Sequence, residues 1–144
     1  MADQDSPQIP LPPVAPHLVV HGAAQAIEFY TKAFGAVEVF RVPDDDGNRL
    51  MHASITINGG LIMLVDDYPE YCDGKSTTPQ ALGGSPVTIH LNVQDVDAAW
   101  KQAVDAGATV DMELADQFWG DRYGKLTDPF GHSWSLASLA KHDR

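Results

Sequence analysis

Histidines occupy matching places in two copies of one sequence pattern. Imidazoles so placed can hold a divalent metal, move a proton or hydrogen-bond a ligand. His17-Leu18-Val19-Val20 precedes an alanine-rich stretch that ends at Gly35-Ala36. His90-Leu91-Asn92-Val93 precedes a second such stretch that ends at Gly107-Ala108. The offset is 73 residues between the histidines and 72 between the glycines. A third histidine, His52, lies in an apolar run between the two copies. Other chemistry has less support. Ser54, Ser133 and Ser135 lack a nucleophile elbow. Gly59-Gly60 and Gly83-Gly84 lack the strand-to-helix context of a phosphate loop. If a proton is transferred without metal, His52 and His90 are the candidate catalytic groups, because neutral imidazole titrates near working pH.

The elements that must position these groups follow from periodicity. Residues 14 to 21 read as a strand. Ile27, Tyr30, Thr31 and Phe34 then recur at helical spacing, and Gly35 stops that helix. A strand over 36 to 42 ends at Pro43 and the Asp44-Asp45-Asp46-Gly47 turn. Strands over 48 to 57 and 61 to 65 form a hairpin across Asn58-Gly59-Gly60. The second copy repeats the order: a strand over 86 to 93, a helix capped by Asp95 and stopped by Gly107, then strands over 108 to 114, 121 to 127 and 132 to 139. The expected organisation is a proline-rich arm (1–13), a first β-α-β-β-β module (14–66), a linker loop (67–85) and a second module (86–140). Neither half buries its apolar face alone, so the two form one domain.

Composition bounds the partners. The chain has 144 residues with 20 acidic against 9 basic ones, a formal charge of −11 and no basic stripe. Repulsion then argues against nucleic acid. No apolar run reaches the length needed to span a bilayer, so no membrane partner is expected. The lone Cys72 cannot form an internal disulfide, which suits a reducing compartment, and no signal-peptide pattern is visible. The cytoplasm is the expected location.

Two tandem β-α-β-β-β modules resemble the vicinal oxygen chelate superfamily of glyoxalase I, extradiol dioxygenases, fosfomycin resistance enzymes and bleomycin-binding resistance proteins. Ala26 to Gly35 is similar to the first helix of these proteins. Phe118-Trp119-Gly120-Asp121-Arg122-Tyr123-Gly124 followed by Asp128-Pro129-Phe130-Gly131-His132 resembles their PhnB-like branch. The resemblance implies an α+β fold in which two pseudo-symmetric modules form a half-open, barrel-like cleft, and it implies a homodimer. Metal-dependent members carry one ligand on the first strand and one near the last strand of each module. Ungapped transfer puts those positions on Ala15, Met63, Thr88 and Ser135, and none of them is a good ligand for zinc, nickel or iron.

Residues two apart on a strand share a face. His17 and His90 therefore point with Ala15 and Thr88 into the expected cleft, and the pseudo-symmetry would bring them near each other. His52, Ser54, Leu61, Met63, Asn92, Tyr123, Lys125 and Ser135 share that phase, and Trp119 would stack on a flat ligand. Leu18, Val20, Ile89, Leu91 and Val93 would face the helices, and Trp134 the core. Arg122 matches Arg49 across the repeat and is expected in an ion pair with Asp121 or another acidic residue. His21, His132 and His142 are assigned no chemistry. The function expected first is binding of a small, partly apolar organic molecule without metal or other cofactor. The alternatives are a lyase, isomerase or dioxygenase with one divalent metal ion on relocated ligands His17, His52 and His90, and a metal-free acid–base enzyme.

Overall fold

The computed structural model describes residues 11–139. Residues 1–10 of the expected arm, and His142, lie outside them. The chain runs β1 (His17–Val20), α1 (Ala23–Phe34), β2 (Val37–Pro43), β3 (Leu50–Ile57) and β4 (Gly60–Asp66). A 3-10 turn (Pro69–Tyr71) and the short α2 (Pro79–Leu82) follow. Then come β5 (Thr88–Asn92), α3 (Val96–Ala106), β6 (Thr109–Asp116), β7 (Asp121–Thr127) and β8 (Ser133–Leu139). The strands form two four-stranded sheets of identical topology, β1-β4-β3-β2 and β5-β8-β7-β6, and neither closes into a barrel. In each sheet the first strand runs parallel to the last, and the remaining pairs are antiparallel.

Local chemistry explains the boundaries. Gly22 has no side chain with which to cap α1, so the buried Asp66 does it, accepting from Gly22 N at 2.8 Å and Ala23 N at 3.0 Å. Its other oxygen takes the amide of Leu50 at 2.8 Å and so sets the start of β3. The strand expected from Asn48 begins two residues later, because Asp46 and Asp44 already accept the amides of Asn48 and Arg49. Asn58 and Gly59 both take positive φ, 51° and 82°, in the two-residue hairpin between β3 and β4. Helix α3 is capped by its own Asp95, which accepts from Ala98 N.

One core serves both modules. Leu18, Val20, Ile55 and Leu64 of the first sheet, and Leu91, Leu126, Trp134 and Leu136 of the second, are buried on the helix side. The strand phase expected for Leu18, Val20, Leu91 and Trp134 is the one observed. The seam is aromatic: Trp134 lies 5.3 Å from Tyr30 and 4.5 Å from Phe34, ring centre to ring centre. Asp128, in the turn before β8, accepts from Tyr30 Oη at 2.5 Å, Trp134 Nε1 at 2.7 Å and the amides of Phe130 and His132. Burial, and after it the Asp128 carboxylate, raises the Tyr30 hydroxyl well above its ordinary pKa, so the phenol stays a donor. His132 Nε2 bonds Val19 O at 2.8 Å, a strut between modules at a residue expected to be a plain loop histidine. The segment between β4 and β5, expected to be irregular, holds α2, which Thr78 caps.

Candidate functional site

Each sheet has one face against the helices and one turned away from them. The second, open face carries the candidate residues. On the first sheet, Met63 stands opposite His17 on β1 and opposite Ser54 on β3, with Leu61 two residues along. His17 meets His52 edge-on at 5.8 Å, and Phe40 of β2 tilts over His52 at 5.3 Å. Phe40 and Val42 remain 45% and 43% exposed, so this face presents apolar surface to solvent. Burial first, and the neighbouring His52 second, lower the pKa of His17, which keeps its ring neutral.

The open face of the second sheet is polar. Ser135 stands opposite His90 on β5 and opposite Lys125 on β7, and Tyr123 stands opposite Ala137. His90 Nδ1 bonds Ser135 Oγ at 2.7 Å, and Nε2 bonds Asn92 Oδ1 at 3.0 Å. Tyr123 stacks on the His90 ring, with 6.0 Å between centres and 20° between planes. Trp119, at the β6–β7 tip, meets Tyr123 edge-on at 5.7 Å and donates from Nε1 to Asp121 at 3.0 Å. A depression of about 560 Å³ adjoins this cluster, lined by Asn92, Asp121, Ala137 and Leu139 among others. Another of about 560 Å³ lies between the Asp44–Asp46 turn and Tyr68 and Tyr71, where Arg49 sits over the Tyr68 ring.

The candidate residues thus fall into two groups. His17, His52, Ser54, Leu61 and Met63 share one sheet face. His90, Asn92, Tyr123, Lys125 and Ser135 share the other, with Trp119 at its rim. Among the described residues no hydrogen bond or ring contact joins His17 to His90; the contacts between the modules include Tyr30–Asp128, His132–Val19 and Tyr30–Trp134 on the helix side and Asn58 Nδ2 to Asn92 O at the end of β5. The strand register sets His17 opposite Met63 and His90 opposite Ser135. The ion pair expected for Arg122 forms with Asp97 and Asp116, while Arg49 pairs with Glu70 and Asp44. Arg122 lies within β7, one residue before Tyr123, whereas Arg49 precedes β3, so the two are not register equivalents. The Ser135–His90–Asn92 chain was missed as a unit, although the matched spacing had singled out each of its members.

The family model of the Glyoxalase/Bleomycin resistance protein/Dioxygenase superfamily matches residues 11–136. The chain belongs to that superfamily. An uncharacterized protein of Mycobacterium tuberculosis is 62% identical over 125 residues, spanning 87% of this chain and 73% of that protein. An Arabidopsis thaliana protein is 34% identical over 121 residues, spanning 78% and 69% of the two chains. The X-ray structure of that Arabidopsis protein superposes with a TM-score of 0.68 at 31% identity, covering 88% of this chain and 98% of the other. A PhnB protein from Bacillus cereus, at 22% identity and a TM-score of 0.69 over 89% of this chain and all of that one, shares the fold.

Metal-dependent members of the superfamily make a metal the first ligand to test, and the residues here do not fit one. The two register pairs offer His17 with Met63, and His90 with Ser135, and no carboxylate. Both nitrogens of His90 are engaged within the protein. Among the described residues, no three His, Cys, Asp or Glu side chains are grouped as metal ligands, the set His17, His52 and His90 included. Among the same residues, no helix is long and apolar enough to cross a membrane.

Proposed function

We propose that this protein binds a small, partly apolar organic molecule on the open faces of its two sheets, without a metal. One observation carries the reading. An apolar face with exposed Phe40 and Val42 and half-buried Leu61 and Met63 is matched by a hydrogen-bonding face (His90, Asn92, Tyr123, Ser135) that adjoins a depression of about 560 Å³. Small-molecule sites combine apolar walls with a few convergent polar groups in this way. Bleomycin-resistance and glyoxalase relatives give the superfamily its name, and small-ligand capture is the common ground from which we argue. A second copy of the chain would bring one protomer's apolar face toward its partner's polar face, so the proposal includes a homodimer. A cytoplasmic location suits the exposed thiol of Cys72, which stays reduced there.

The test has two arms. Elemental analysis of protein purified without tag or chelator should find no stoichiometric transition metal, before or after incubation with zinc, nickel, manganese and iron. A ligand-observed NMR screen of small aromatic and aliphatic compounds should then yield binders that quench Trp119 and are lost in the folded Met63→Lys variant. About one metal per chain, or a screen without a single Met63-dependent binder, would overturn the proposal.

A further inference from the structure

We propose that the open face of the second sheet recognises an organic carboxylate, with the Lys125 ammonium supplying the opposing charge and His90 Nε2–H the oriented donor. This rests on the small-molecule reading and names the chemical class at that site. The first observation is a cation out of place. The chain carries a net charge of −11. Arg41, Arg49, Lys101 and Arg122 are each paired with a carboxylate, while Lys32 and Lys75 have no such pair among the described residues but are exposed to water. Lys125 is half-buried beside Ser135 and forms no ion pair among the described residues. Glu113 on the neighbouring β6 adjoins Met112, the residue opposite Lys125, and forms no ion pair with Lys125. Asp111 accepts from Thr127 Oγ1 at 2.5 Å, and Asp121 from Trp119 Nε1 at 3.0 Å.

The second observation is the proton order along Ser135, His90 and Asn92. Nε2 faces Asn92 Oδ1, an amide oxygen with no proton to give, so Nε2 carries the ring hydrogen. Nδ1 is then the lone-pair nitrogen and accepts from the Ser135 hydroxyl. The ring is held as a donor toward the open side, and Asn92 Oδ1 marks the place of an incoming acceptor oxygen. Asn92 itself lines the adjoining depression and is exposed. His90 and Lys125 flank the Ser135 strand, roughly 10 Å apart at the backbone by ordinary strand spacing. One carboxylate can therefore displace the exposed Asn92 Oδ1 from Nε2, take its hydrogen bond and turn its charge toward the ammonium. The Tyr123 ring stacked on His90 offers a flat apolar seat for the rest of the molecule.

The experiment compares 2-naphthoate with its neutral isostere 2-naphthamide by NMR titration of ¹⁵N-labelled full chain, reading backbone and histidine ring signals. The acid should bind more tightly than the amide and shift the His90 Nε2 resonance. Lys125→Met, which keeps the stem and removes the charge, should weaken the acid by about tenfold, the scale of a charge-assisted bond. The same variant should leave the amide unchanged, and Lys101→Met, on the outer helix, should change neither. Equal binding of acid and amide, unmoved by Lys125→Met, overturns the inference and leaves the small-molecule reading standing. Binding by neither probe overturns the inference, and it takes that reading down as well only if the screen is also blank.

Discussion

His17, Met63, Ser54 and His52 of the first sheet hold the register positions that His90, Ser135, Lys125 and Tyr123 hold in the second. The helix-facing partners of these positions stay apolar in both sheets: Leu18 with Leu91, Leu64 with Leu136, and Ile55 with Leu126. Slipping a strand by one residue would turn that buried set into solvent, so burial holds the register in both modules. Nothing comparable holds the open faces. One became a thioether and two imidazoles beside exposed Phe40, and the other a lysine and a serine–histidine–asparagine chain. The repeat thus fixes where side chains stand and leaves their chemistry free.

The modules also differ in what they give to the shared core. At the position of Ile62 in the first sheet, the second has Trp134, which is fully buried against Tyr30 and Phe34. Trp134→Ala should therefore have the largest effect, destabilising the protein by about 3–5 kcal/mol. It empties the seam and removes one of the donors on buried Asp128. Urea denaturation followed by far-UV dichroism should show one transition moved to lower denaturant. Two transitions, with the first module melting at its original midpoint, would mean that the modules do not share a core.

A smaller effect sharpens the comparison at Gly124, the equivalent of Ala53. Ala53 is fully buried and its methyl is accommodated. A Cβ on Gly124 would lie 2.5 Å from the Trp100 ring and 3.0 Å from Leu114 Cα. Gly124→Ala should cost about 1–3 kcal/mol by overpacking. Ala53→Gly should cost about 1–2 kcal/mol, from chain entropy and the loss of one buried methyl rather than from a clash. Adding Trp100→Leu should recover part of the Gly124→Ala loss and none of the Ala53→Gly loss. Equal costs at the two sites would show that α3 stands off the second sheet as loosely as α1 stands off the first.

The fold was legible because its signals are local and doubled. Gly35 and Gly107 end the helices, Asn58-Gly59 turns the hairpin, and alternation assigns Leu18, Leu91 and Trp134 to the core. The candidate site was legible residue by residue but not in its grouping. Parity says which face a side chain takes, but not which side chains of the two faces make contact. The helix-side seam of Tyr30, Trp134 and Asp128 that joins the modules left no such local signal in the sequence. The cap that Asp66 supplies to α1 was equally hidden, since donor and acceptor are 43 residues apart in the chain.

The smallest effect concerns the two equivalent histidines of the first strands. His17 loses hydration on its apolar face and feels the positive form of His52, and both lower its pKa. A histidine lowered in this way favours folding most where it is neutral, above its unfolded value of about 6.5. Its contribution declines as pH falls through that value toward the folded one, and no further loss follows below. The ring is exposed, so solvent screening keeps the change well under either packing effect. Proton NMR of the imidazole signals should place the His17 midpoint below the ordinary histidine value. His52→Asn should move that midpoint up only part of the way, because burial, the larger cause, remains. In parallel, the stability difference between His17→Asn and the native chain should narrow from about pH 7.5 to pH 5.5. A His17 midpoint at or above the ordinary value would remove the asymmetry this rests on, because the first face would then be as wet and polar as the second.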